Sequence, residues 1–88
     1  MTTNYEKSFL KDIKKLQNKQ VSQKLKLLLS EFEKSNDLTS FQNVKKLKGN
    51  DNFFRIKISE YRLGFHYENN EITIIRFLHR KDIYKFFP

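Results

Sequence analysis

The 88-residue chain contains no cysteine, which excludes a disulfide framework and a thiolate metal site. No apolar run approaches the roughly 20 residues of a membrane span, and the first residues lack the apolar core of a signal peptide. A soluble, cytoplasmic protein without a membrane partner is therefore expected. Acidic residues are scarce, 10 against 18 Lys and Arg, for a net charge of +8. Such an excess on a small domain implies an anionic partner: nucleic acid, an acidic protein, or both. There is no Gly-rich phosphate loop and no carboxylate cluster at metal-ligand spacing. Any nuclease chemistry is thus expected to need neither metal nor cofactor. Repeats, low-complexity stretches and linkers are also missing, so residues 1–88 read as a single domain. At this length about 60% of the unfolded surface can be buried, which makes the core modest.

What is present divides near residue 49. The first half carries lysine and no arginine, whereas Arg55, Arg62, Arg76 and Arg80 all follow. Phe9, Ile13 and Leu16 predict an amphipathic helix over residues 5–17, and Val21, Leu25, Leu28, Leu29 and Phe32 predict a second over 20–35. The break at Asn18-Lys19-Gln20 suits an antiparallel helical hairpin. Leu38 to Val44 reads as a loop, and Lys45 to Asn52 as a turn rich in Gly, Asn and Asp. Strands follow at 54–58, 61–67 and 72–78, joined at Ser59-Glu60 and Asn69-Asn70. The expected fold is α+β: an N-terminal helical hairpin on a three- to four-stranded antiparallel sheet, with a short C-terminal helix. Residues 1–4 leave little room for a further strand.

Alternation in the first of these strands places Arg55 and Lys57 on one face, and Arg62 opens the next. His79, Arg80 and, one helical turn on, Tyr84 arrive at the end of the third. An imidazole shuttles protons near neutral pH, a guanidinium grips phosphate in fork geometry, and a phenol donates a hydrogen bond or a proton. Metal-free RNA cleavage needs such groups: a base for the 2′-hydroxyl, an acid for the departing 5′ oxygen, and cations against phosphorane charge. A basic tail capping the domain is the plainer reading of the same residues. His66 and Tyr61 read as packing residues, with an acid–base pair of His66 and His79 as the alternative for the former, and Phe86 and Phe87 as anchors for Tyr84.

Val44-Lys45-Lys46-Leu47-Lys48-Gly49, Phe54-Arg55-Ile56-Lys57-Ile58, Tyr61-Arg62-Leu63 and His79-Arg80-Lys81-Asp82-Ile83-Tyr84 resemble, in order, the signatures of the RelE/ParE superfamily of bacterial and archaeal type II toxins. Phe9 to Leu16 is similar to that family's first helix. The resemblance implies a tight complex with a cognate antitoxin and, for the RelE branch, cleavage of mRNA in the ribosomal A site. It implies a site in which Arg55, Lys57, Arg62, Arg80 and Lys81 meet RNA phosphate and Lys57, His79 and Tyr84 transfer protons, with Arg62 and Arg80 also serving catalysis. Arg55 stands where the best-known ribonucleases of the family carry lysine, and a guanidinium stays protonated, which shifts acid–base duty to Lys57, His79 or Tyr84. Two alternatives stay open: a ParE-like DNA gyrase poison acting by binding, and a catalytically silent relative that binds antitoxin or RNA.

Overall fold

Apolar stripes hold the two N-terminal helices in place. The computed structural model, which describes residues 1–49 and 51–88, has α1 at Lys7–Lys15 and α2 at Lys19–Lys34. Phe9 of α1 and Val21, Leu25 and Phe32 of α2 are buried. The Asn18 side chain caps α2 by accepting from the Val21 N–H at 3.1 Å, which satisfies an otherwise orphaned donor. Among the described residues no helix is long and apolar enough to cross a membrane.

The described residues form a single sheet of five strands: β1 (Thr2–Tyr5), β2 (Val44–Lys46), β3 (Phe53–Ile58), β4 (Tyr61–Glu68) and β5 (Glu71–His79), in the spatial order β1-β5-β4-β3-β2. This corrects the expected three- to four-stranded antiparallel sheet. Residues 2–5 do form a strand, and it runs parallel to β5. Local sequence conceals it because only the outer edge of β5 supplies its backbone partners. Val44 to Lys46, read as the end of a loop and the start of a turn, pair with Phe54 to Ile56. Asn50 of that expected turn lies outside the described residues.

The meander of β3, β4 and β5 closes through tight turns. Asn69 and Asn70 both take positive φ, 52° and 61°, the backbone of a type I′ hairpin, which asparagine tolerates better than most residues. Alternation then sorts the side chains. Ile56, Ile58, Leu63, Phe65, Ile72, Ile74 and Phe77 join the helices in one core. Arg55, Lys57, Arg62 and Gly64 fall on the opposite face, where α3 (Arg80–Phe86) packs against β4 and β5.

Nor do α1 and α2 pack as a hairpin unit. α1 lies on β5, while α2 meets β1 and β3. The reason is the unequal length of the outer strands. β1 pairs only with Glu71 to Ile74, so α1 serves the rest of the β5 edge with side chains one turn apart. Ser8 Oγ donates to the Ile75 carbonyl at 2.6 Å, and the Asp12 carboxylate accepts from the Phe77 N–H at 3.0 Å. Asp12 also accepts from Arg76 Nε and Nη2 at 2.8 and 2.9 Å. Its side chain is only 7% exposed, so the carboxylate is nearly withdrawn from water and fully engaged. Across the sheet, the pairing of β5 with β4 slips between Gly64 and Phe65, leaving Ile75 as the extra residue of a bulge.

Asp12→Ala should destabilise the fold by about 2–3 kcal/mol, because it strands a guanidinium and a strand N–H at once. A lower urea midpoint at unchanged m-value is the expected readout. A second prediction concerns alkaline pH. Tyr5 stacks on Phe9 and donates to Glu33 Oε1 at 3.0 Å. Burial first, then the bond to and charge of Glu33, push its phenol up to about 12. Between about pH 10 and 12 the unfolded chain loses a proton that the folded chain keeps, so stability must fall as pH rises through that window. The stability difference between the wild type and Tyr5→Phe should shrink over the same range in denaturation curves, and should stay constant below it.

Candidate functional site

Strand pairing gathers the cations. Lys57 stands directly opposite Arg62, Arg55 opposite Gly64, and Lys45 opposite Arg55. Cβ atoms so placed lie about 4.5–5.5 Å apart, and like charges facing each other at that spacing destabilise a sheet. The chain sets up that repulsion twice, between Lys45 and Arg55 and between Lys57 and Arg62. A bound anion would relieve it. These four side chains, with Asn43 and Tyr84, line an open cleft of about 260 Å³. None of the six is acidic.

Tyr84 reaches the cleft because α3 docks on the sheet. Ile83 is fully buried and Phe87 is 5% exposed. The Phe87 ring lies over Gly64 so closely that a Cβ built there would stand 2.7 Å from it. Phe53 meets Phe87 edge-on at 5.9 Å and packs likewise on His66 at 5.0 Å, so His66 belongs to this aromatic wedge. Phe86 does not anchor the helix as expected. It is 56% exposed, with the Arg76 guanidinium 5.5 Å from its ring centre, because one helical step turns it away from the sheet. Ile83 and Phe87 are the anchors. Tyr84 itself is exposed, and the Arg55 guanidinium sits 4.5 Å from its ring centre. That cation–π contact holds the phenol beside the cations.

The other predicted residues are distributed differently. Arg62 Nη1 donates to the carbonyls of Ser59 and Tyr61 at 3.1 and 2.9 Å, which orients the guanidinium and leaves Nε and Nη2 for an anion. Arg80 does not line the cleft; its Nε pairs with Glu60 Oε2 at 2.9 Å. Both partners are well exposed, so the pair is weak and easily exchanged. His79 also lies elsewhere. Its Nδ1 accepts from the Lys81 N–H at 3.2 Å as the N-cap of α3, and its ring meets Tyr61 edge-on. It lines a separate hollow with Asp12, Lys15 and Asp82, because its register opposite Tyr61 puts it on the face away from Arg62. Lys81 is exposed and lines neither hollow. Tyr61 stacks on Phe77 at 5.2 Å. Sequence reading missed Asn43 and Lys45 as cleft residues, since only the pairing of β2 with β3 brings them there.

Residues 4–84 match the family described as the ParE toxin of the type II toxin-antitoxin system, parDE. The chain is 36% identical over 89 residues to Toxin RelE3 of Methanocaldococcus jannaschii, covering the whole of both. It is similar to a chain of the RelB-RelE antitoxin-toxin complex from Methanococcus jannaschii, with a TM-score of 0.84 and 35% identity over 97% of this chain and 99% of that one. A chain of the intact E. coli RelBE toxin-antitoxin complex shares the fold at a TM-score of 0.67 and 24% identity, over 89% of this chain and 94% of that one.

The glycine contact yields a direct test. Gly64→Ala should push Phe87 off the sheet and loosen α3, at a cost of about 1–3 kcal/mol. Faster hydrogen exchange confined mainly to the α3 amides, with the helical layer still protected, is the pattern expected.

Proposed function

Because the chain belongs to the RelE/ParE family of type II toxins, we propose that it is a ribosome-dependent endoribonuclease that cuts mRNA in the A site. The observation that carries this reading is the convergence of Arg55, Lys57, Arg62 and Tyr84 on one cleft without an acidic lining residue. The RNA 2′-hydroxyl attacks the adjacent phosphorus, the bond to the 5′ oxygen breaks, and a 2′,3′-cyclic phosphate and a 5′-hydroxyl result. Arg62 and Arg55 hold the phosphate and the charge that builds on it. Lys57 and Tyr84 carry the two proton transfers, removing the 2′ proton and supplying one to the leaving oxygen. Arg80 reinforces the phosphate contacts after exchanging Glu60 for RNA. His79, engaged as a helix cap in a different hollow, supports α3 and has no chemical step in this scheme.

The partner in the resting cell is, in this reading, a cognate antitoxin. The M. jannaschii and E. coli relatives are complexes of that kind, and the +8 charge suits an acidic or amphipathic partner. A gyrase-binding activity is the second reading, favoured by the match to the ParE family description. The presence of both Lys57 and Tyr84 in one cleft argues against it, because a binder has no use for a proton-transfer pair.

Primer extension on mRNA from induced cells, set beside an SOS-response assay, separates the two. Discrete cuts without SOS induction are expected. Lys57→Met and Tyr84→Phe should each lower the cutting rate by about 10²-fold or more, the scale of one general acid or base. Undiminished cutting in both variants would falsify the assignment, and SOS induction without cutting would favour the gyrase reading.

A further inference from the structure

Resting on the RNA-cleaving reading, the structure assigns a second nucleotide position to the cleft, formed by Lys45 and Asn43 and flanking the cut. The sheet arranges the cations of this face as two rungs. Lys57 and Arg62 make one cross-strand pair, and Lys45 with Arg55 the next, two residues along β3. Two residues of strand advance about 7 Å, a distance comparable to one nucleotide step of an extended RNA chain. The Lys57–Arg62 rung serves the scissile phosphate, and Arg55 stands between that rung and Lys45. Lys45 is exposed and has no assigned chemical step; its ammonium is a point charge suited to a neighbouring phosphate.

On the β2 side of Lys57, one register step past Val44 opposite Ile56, the cleft changes character. Asn43 is its one amide, exposed and held just before β2. An amide presents one acceptor and two donors, the complement needed to read the edge of an unpaired base. Its backbone is left-handed, with φ at 64°, a conformation that asparagine adopts more readily than most residues and glycine adopts freely. The side chain is therefore aimed by the turn that starts β2. Together the rungs and the amide give the strand a direction across the sheet, from Arg62 on β4 through Lys57 and Arg55 on β3 to Asn43 and Lys45 on the β2 side. This makes the segment from Asn43 to Lys45 a determinant of which sequences are cut.

Asn43→Gly is a clean probe, because it deletes the amide and keeps the left-handed backbone. Lys45→Met removes the charge and keeps the stem, and Lys45→Arg restores a phosphate contact. Cut sites mapped by sequencing RNA ends from induced cells should show that Asn43→Gly loses base preference at one fixed position beside the cut. Binding of a single-stranded 2′-O-methyl oligoribonucleotide, measured against salt, should weaken about threefold to tenfold in Lys45→Met, and the log–log salt slope should fall by about 0.7, one phosphate contact. Lys45→Arg should recover the slope. If the wild type cuts RNA but both Asn43→Gly and Lys45→Met match it in base preference and salt slope, the second position is wrong and the cleavage reading stands. A wild type that cuts no RNA overturns the cleavage reading, and this assignment with it.

Discussion

β5 has neighbours on every side, and the way its outer edge is satisfied governs the rest of the fold. It pairs with β4 along its whole length but with β1 only through Ile74. Beyond that point the outward carbonyl of Ile75 and N–H of Phe77 would be left without strand partners, and each buried polar group so left costs about 1–3 kcal/mol. Ser8 and Asp12 of α1 take those roles. Their spacing of one helical turn matches the advance of the strand. That requirement places α1 on β5 and prevents α1 and α2 from closing into a simple hairpin. Asp12 extends the effect by clamping Arg76, whose guanidinium also reaches the ring of Phe86 beyond the sheet. One nearly buried carboxylate thus ties the helical layer to the end of α3.

The opposite face shows a different balance. Two cross-strand pairs of like charge and an exposed phenol are poor choices for stability alone. They are tolerated because the buried core beneath is apolar and because α3 docks through buried Ile83 and the tight contact of Phe87 on Gly64. Glycine is required there by the ring above it, since its backbone needs no special conformation. Docking sets Tyr84 over Arg55, so the position of the phenol depends on packing at the far end of the same short helix. In a RelE/ParE toxin this arrangement gives the proposed chemistry its geometry, with cations fixed by a rigid sheet and the phenol carried by an element of only two turns.

Much of this was legible in the chain itself. The 3.6-residue period located both N-terminal helices, and alternation after Asn52 located the meander and its basic face. The asparagine pair at 69–70 marked its hairpin because asparagine accepts left-handed backbone. Four of the candidate site residues, Arg55, Lys57, Arg62 and Tyr84, do share a cleft. The differences from expectation are of two kinds. Thr2–Tyr5 and Val44–Lys46 are too short to carry a periodic signal, and each becomes a strand by pairing with an edge built elsewhere. His79 and Arg80 are adjacent in sequence to the expected site, yet one caps a helix and the other meets Glu60, because the strand ends and the helix begins between them.

Composition and local pattern by themselves determined the charge, the helices and the central meander, the apolar core and the residue types from which a phosphodiester site could be drawn. Those properties depend on side-chain chemistry and on periods of two and 3.6 residues, which are written directly along the chain. Tertiary structure alone decided which candidates meet. The face on which His79 falls, the pairing that brings Asn43 and Lys45 into the cleft, and the contact that makes Phe87 rather than Phe86 the anchor all follow from strand register. Register is settled by long-range pairing and packing, where a shift of one residue sends a side chain to the other face of the sheet.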